Sequence, residues 1–239
     1  MAVAFVNAGA KGSAADTTIT LGAPATPLDD DIWIAVCHSG NNVAHTFSDW
    51  TELANLNGGG TSSHLSVWYF VYAGSTPNLI VGQGVATSTF VGGIAAFRGA
   101  DPADPFDTVG ATLTGTLSPV TYTAFTPGVD NCMIVACSGN ADNMQRDISG
   151  VAAAFEDANA TNDPDNCYWS SSGSPDSTCA CQYVIQAGAA DTGSPDEVIE
   201  DFGAGAANRQ WASILLALQE PGGAPAATLT QRMMMGIGS

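Results

Sequence analysis

Residues 90–107 constrain the fold of this chain more than any other stretch. Phe90 to Phe97 is almost wholly apolar, Arg98 closes the run, and Pro102 and Pro105 follow at once. Proline carries no amide hydrogen, so a β-ladder through the apolar run stops there. Ile94, Ala96 and Arg98 alternate with Ala95 and Phe97, the spacing of a strand with at least one buried face. Gly92 and Gly93 leave room for a close backbone approach or a bulge. Phe97 is therefore expected in the core. Arg98 is expected on the opposite face, paired with a carboxylate, for which the following Asp-Pro loop is the nearest source.

Similar apolar runs recur at 32–37, 64–73, 132–138, 178–186 and 209–218, separated by Gly-, Pro-, Asn- and Ser-rich turns. Shorter candidates lie at 2–6, 17–21, 49–53, 108–114 and 120–125. No segment sustains a helical period, and 151–159 is at most one or two helical turns. The 157–177 stretch reads as a long polar surface loop. Three blocks repeat in order. Ile34-Ala-Val-Cys37 resembles Ile134-Val-Ala-Cys137. Trp68 to Gly74 resembles Gln182 to Gly188. Ile94-Ala-Ala-Phe97 parallels Ile214-Leu-Leu-Ala217. The expectation is an all-β chain: a jelly-roll-like β-sandwich of roughly ten or more antiparallel strands, built from two related halves that face each other. One domain spans 1–220, with halves at 28–107 and 128–220. Residues 221–239 form a Gly-Pro linker and an apolar tail.

Charge narrows the function classes. The formal net charge is −18, and the only positive residues are Lys11, Arg98, Arg146, Arg209 and Arg232. Phosphate contacts need clustered bases, so no nucleic-acid partner is expected. Anionic membrane surfaces would repel the chain, and no apolar run reaches the ~20 residues of a helical span. Divalent cations or a cationic surface would be attracted. The first residues lack the basic and apolar regions of a signal peptide.

Candidate sites are few. Asp29, Asp30 and Asp31 precede an apolar strand, while Asp101, Asp104 and Asp107 lie in the Pro-stiffened loop. All six are calcium candidates, because loop carboxylates are the usual ligands of that ion, and turn chemistry competes for the same residues. Calcium is the one cofactor for which residues can be named. His38, His45 and His64 have no metal-ligand spacing and read as loop or rim residues. Trp33, Trp68 and Trp211 sit in apolar strands and read as core. Tyr168 and Trp169, beside the polar loop, are the exposed aromatics expected to contact a glycan or a protein partner. Most of the six cysteines read as buried thiols. Antiparallel pairing about Ser174 would set Cys167 opposite Cys181, a geometry that permits a disulfide. Met233, Met234, Met235 and Ile237 form an apolar docking patch on the tail. No nucleophile elbow, phosphate loop or zinc-protease motif occurs, so no catalytic residue is named.

The block from Ile94 through Arg98-Gly-Ala-Asp101-Pro102 to Pro105-Phe106-Asp107, preceded by Asp49-Trp50-Thr51 and Val67-Trp68-Tyr69, resembles a recurrent β-sandwich domain of phage virion proteins and bacterial surface or secreted proteins. The resemblance covers about residues 30–220, and the Met-rich tail resembles the ends of phage structural proteins. It implies a non-enzymatic virion protein displayed on capsid or tail as a decoration, cement or appendage subunit. Such a protein would be made in the host cytoplasm and located at the virion surface. Its partners would be other virion proteins and further copies of itself. The alternatives are an extracellular carbohydrate-binding adhesin module, with a surface glycan as ligand, and a secreted hydrolase on the same sandwich.

Overall fold

The structure, a computed structural model, describes residues 2–60, 63–86, 89–116, 120–141, 145–147, 168–170, 177–186, 188, 192, 196–200 and 210–222. Of 145–147, 168, 170 and 196–200 it describes the backbone. The chain forms strands β1 (Ala4–Ala8), β2 (Gly12–Ala14), β3 (Thr18–Thr20), β4 (Ile32–Ser39), β5 (His45–Thr46), β6 (Thr51–Asn57), β7 (His64–Val71), β8 (Ile80–Gln83) and β9 (Phe90–Arg98). A second run follows: β10 (Phe106–Val109), β11 (Leu113–Gly115), β12 (Val120–Thr121), β13 (Cys132–Asn140), β14 (Gln145–Asp147), β15 (Tyr168–Ser170), β16 (Thr178–Gln186), β17 (Asp196–Glu200) and β18 (Trp211–Leu218). Every ladder is antiparallel.

The two runs have the same topology. The first makes a sheet in the order β1-β9-β4-β7-β6, with β2 also on β9, and a small sheet β3-β8-β5. The second makes β10-β18-β13-β16-β15, with β11 also on β18, and a small sheet β12-β17-β14. In each run the chain passes back and forth between a large and a small sheet, and its first strand lies beside its last. This is jelly-roll winding.

Four layers result. The two large sheets face each other across a core that includes Ile34, Val36, Leu65, Val67, Phe97, Val135, Cys181, Ile214 and Leu216. The outer face of the first large sheet packs Trp33, Trp68, Phe90 and Ile94 against Ile19 and Val81 of its small sheet. The outer face of the second packs Ile134, Ala136, Trp211 and Leu215 against Val120 and Tyr122. Strands β4, β9, β13 and β18 are thus apolar on both faces, which explains their near-continuous apolar sequences.

The ladders fix which residues correspond. Phe5 pairs Phe97 just before a register shift, and Phe106 pairs Leu218 just before the same shift. Phe97 also faces Ile32, and Leu218 faces Met133. Ile32 faces Val71, and Met133 faces Ile185. Stepping along these strands equates Ile34 with Val135, Tyr69 with Tyr183, Trp68 with Gln182 and Ile94 with Leu215. The turn into the first long strand matches as well: Asp30 and Asn131 both adopt left-handed backbone angles (φ 71° and 60°).

Two of the three sequence blocks are therefore one residue out. Ile34 lies in the core between the large sheets, but Ile134 faces the outer layer. Ile94 faces outward, but Ile214 faces inward. The block pairing Trp68 with Gln182 is in register. The repeating unit also begins earlier than residues 28 and 128, since it takes in β1–β3 and β10–β12. The 151–159 segment, most of 157–177 and the 223–239 part of the linker and tail lie outside the described residues.

Candidate functional site

The acidic candidates are dispersed. Asp31 is fully buried, and its carboxylate accepts from Arg98 Nε and Nη2, both at 2.8 Å, and from the Leu28 amide at 2.8 Å. A bidentate guanidinium pair of this kind is the strong form of the charge-assisted hydrogen bond, and the bond to Asp31 raises the Arg98 pKa. Arg98 thus has its carboxylate, but not from the Asp-Pro loop. Ile32 faces Phe97 in the ladder, which brings the residue before one to the residue after the other. Asp29 and Asp30 are exposed. Asp101 Oδ1 accepts from the Ala103 amide (2.9 Å), a local turn. Asp107 Oδ2 accepts from the Gly128 amide (2.7 Å) and the Thr108 hydroxyl (2.9 Å). The Asp104 carbonyl accepts from Gln219 Nε2 (2.8 Å). Among the described residues, no three His, Cys, Asp or Glu side chains gather where a metal ion could bind.

The aromatic candidates need a correction. Trp169 is not exposed: it is 5% accessible and belongs to the core between the large sheets. Its ring lies against Gly93 of β9, where any side chain would collide with it. The polar neighbours of Trp169 in sequence suggested a loop, but β15 closes the edge of the second sheet and turns this residue inward. The carbohydrate reading loses its main residue. Tyr168 pairs Ala180 in the β15–β16 ladder, and its side chain lies outside the described part. Trp33, Trp68 and Trp211 are buried as expected. The β15–β16 register is the one centred on Ser174, with Trp169 opposite Cys179. Cys167 itself lies outside the described residues, as do Met233, Met234, Met235 and Ile237.

The histidines form the densest polar chemistry described, and the sequence reading missed it. All three are buried rather than at a rim, His38 and His64 at one end of the first large sheet and His45 on β5 of the small sheet. His38 Nδ1 lies 2.5 Å from Ser177 Oγ, and Nε2 lies 2.8 Å from Ser63 Oγ. The Ser177 hydroxyl donates to the His38 carbonyl (3.1 Å). Ser177 therefore accepts from Nδ1–H, and in the neutral tautomer Nε2 accepts from Ser63. His45 contacts Ser39 Oγ through Nε2 (2.8 Å) and Ser66 Oγ through Nδ1 (2.9 Å). His64 Nδ1 meets Asn57 Oδ1 (2.9 Å) and Nε2 meets Asn55 Oδ1 (2.6 Å). The His45 and His64 rings are 4.8 Å apart, edge to face.

Burial sets the protonation of His45 and His64. Desolvation holds His45 well below the ordinary imidazole range, and His64 beside it adds to the effect. Desolvation also lowers His64 to about 4, although Glu52 nearby pulls the other way. Neutral His45 can be held at both nitrogens by serine hydroxyls, whereas neutral His64 has one N–H and gives it to the oxygen of Asn55 or Asn57, not to both; these contacts tie strand ends together. Buried polar groups satisfied in this way fix a unique register. The available signal was the ladder itself, since β4–β7 pairing sets Ser39 opposite His64. It could not be read before the strands were paired.

No family model, no curated protein and no solved structure matches this chain.

Proposed function

We propose that the protein is a non-enzymatic structural subunit displayed on a phage virion, on capsid or tail, as a decoration, cement or appendage. One observation supports this reading above the others. Many of the chemistry-bearing side chains described hold the fold together: His38 between two serines, His45 and His64 among serines and asparagines, Asp31 with Arg98, and Asp101 and Asp107 with backbone amides of turns. Such a body is suited to display, and its net charge of −18 keeps crowded copies apart in solution.

The apolar residues Met233, Met234, Met235 and Ile237 supply the anchor onto neighbouring subunits. Burying four such side chains contributes roughly 6–10 kcal/mol, at ~1.5–3 kcal/mol each. Ordering the segment consumes much of that at ~1–2 kcal/mol per residue. A single contact is therefore weak, and many copies on one particle hold through avidity. Quantitative mass spectrometry of washed virions tests the proposal. The expected result is many copies per particle, and absence from the particles overturns it. Deleting residues 232–239 is expected to leave the melting temperature unchanged and to lower occupancy on particles. Full occupancy of the truncated chain would remove the anchor.

A further inference from the structure

The contacts between the two large sheets repeat in reverse. Phe5 stacks on Tyr183 with ring centroids 4.7 Å apart, and Phe106 meets Tyr69 at 5.0 Å. Phe5 corresponds to Phe106 and Tyr69 to Tyr183. The same two positions therefore meet twice, with the halves exchanged. Reciprocal contact of this kind is the mark of an isologous interface, the arrangement of a two-fold dimer. A residue on such an axis must touch its own counterpart. His38 and Gly139 correspond, one following the other along matched ladders, and they touch: a Cβ on Gly139 would lie 2.5 Å from His38 Cδ2.

The two hydrogen-bond partners of His38 confirm the axis independently. Ser39 pairs His64, and Asn140 pairs Thr178. The residues before His64 and Thr178 are Ser63 and Ser177, so these serines are counterparts. One imidazole on the axis holds one serine of each half, through one ring nitrogen each. Two histidines at this point would collide. Two glycines would leave a hole the size of a ring and two buried hydroxyls without their bond to it, which is costly.

We propose that the face between the large sheets is a self-recognition surface whose partner is a second copy of the same fold, and that the His38–Gly139 pair makes each half fit the other and reject its own kind. Within one chain the partner is tethered through residues 99–105. Between two chains the partner is the opposite half of a second copy, reached by exchanging halves. Short connections favour such exchange.

Full-length variants test this. Gly139→His places two rings on the axis and His38→Gly empties it. Each is expected to lower the melting temperature by about 10 °C, the shift given by a few kcal/mol in a chain of this size. The exchanged double variant, His38→Gly with Gly139→His, is expected to recover to within about 5 °C of the parent, because the axis presents both serines equally to a ring from either side. A double variant no more stable than the worse single variant overturns the two-fold axis. The singles also complement each other: one chain carries histidine in both halves, the other glycine in both. Refolded as a mixture, they are expected to give a species of two chain masses, with one histidine and one glycine at each axis. Light scattering that finds the original single-chain masses alone in the mixture overturns the second-copy partner.

Discussion

The two halves of the molecule share strand order, register shift and even the left-handed turn residue, yet they fill their outer layers differently. The first half sets Trp33, Trp50, Trp68, Phe47 and Phe90 against its small sheet, with Phe47 stacked on Trp50 at 4.5 Å. Among the described residues, the outer layer of the second half holds Val120, Tyr122, Ile134, Leu215 and Trp211. Where the first has Trp68, the second has Gln182, buried with neither Nε2 nor Oε1 hydrogen-bonded among the described residues. Where the first has the half-exposed Arg98 on the buried Asp31, the second has Gln219 and Cys132. The inner face is less free to differ, because each residue there must fit a counterpart in the other half. Topology is set by the alternation of apolar residues and by turns. The choice of side chain behind each sheet is a local packing matter.

Breaking the shared core should hurt most. Phe97→Ala is expected to destabilise the protein by roughly 3–5 kcal/mol, the cost of emptying a buried aromatic site. Leu218→Ala, its counterpart, should cost a similar amount, read as a shift in urea midpoint. An unchanged midpoint for either would show that the shared face is not the core. Arg98→Ala comes next, at about 3 kcal/mol, because it strands the Asp31 carboxylate. This is the lower end of the range for a buried pair, since Arg98 is 34% exposed. Gln219→Ala removes an exposed bond at the matching place and should cost under about 1 kcal/mol. Equal losses at the two sites would erase the proposed asymmetry.

Gln182→Leu acts in the opposite direction. Removing an unsatisfied buried amide should stabilise the second half by about 1–3 kcal/mol, whereas Trp68→Leu should destabilise the first. The gentlest perturbation is acid. His45 and His64 are neutral when folded, with pKa values held below their unfolded value of about 6.5. Below pH 6.5 the unfolded chain takes up protons that the folded chain refuses. Stability present at pH 7 is therefore lost as pH falls, and for His64 the loss levels off near 4. Thr178 occupies the His64 position in the second half, so the effect belongs to the first half alone. His64→Thr should flatten the denaturation midpoint between pH 6.5 and 5, and an equally steep profile would place the sensitivity elsewhere.

Much of this architecture was legible in the sequence, and the failures have one cause. Strand alternation placed Phe97 inside, Arg98 at a carboxylate, and the major strands in two matching sets. Identity matching then aligned Ile34 with Ile134 and Ile94 with Ile214, because isoleucine suits either face of a doubly buried strand. A shift of one residue reverses every side chain in a strand, and composition does not register it. Trp68 and Gln182 were aligned correctly by the Ala-Gly that closes both blocks. Long-range pairing hid the rest. Asp31 reaches Arg98 through the sheet rather than the nearby loop. His38, His45 and His64 find serines and asparagines that no spacing rule connects. Trp169 was assigned from its polar neighbours, although it is its partner strand that decides which way it points.

The connection between the halves bears on where the chain can be cut. Residues 99–105 lie against the end of β18: the Asp101 amide donates to the Gln219 carbonyl, and the Gln219 amide donates to Pro105. Ala4 pairs Arg98 at the matching place. A two-fold axis that carries Arg98 to Gln219 and Phe5 to Phe106 also carries the join between Arg98 and Phe106 to a path between Gln219 and Phe5. A circularly permuted chain could begin at Phe106, run through β18, cross to Phe5 by a linker as long as residues 99–105, and end at Arg98. It would retain every ladder, losing only the terminal Ala4–Arg98 pair, because the order of the two halves along the chain reflects which of two equivalent joins is closed.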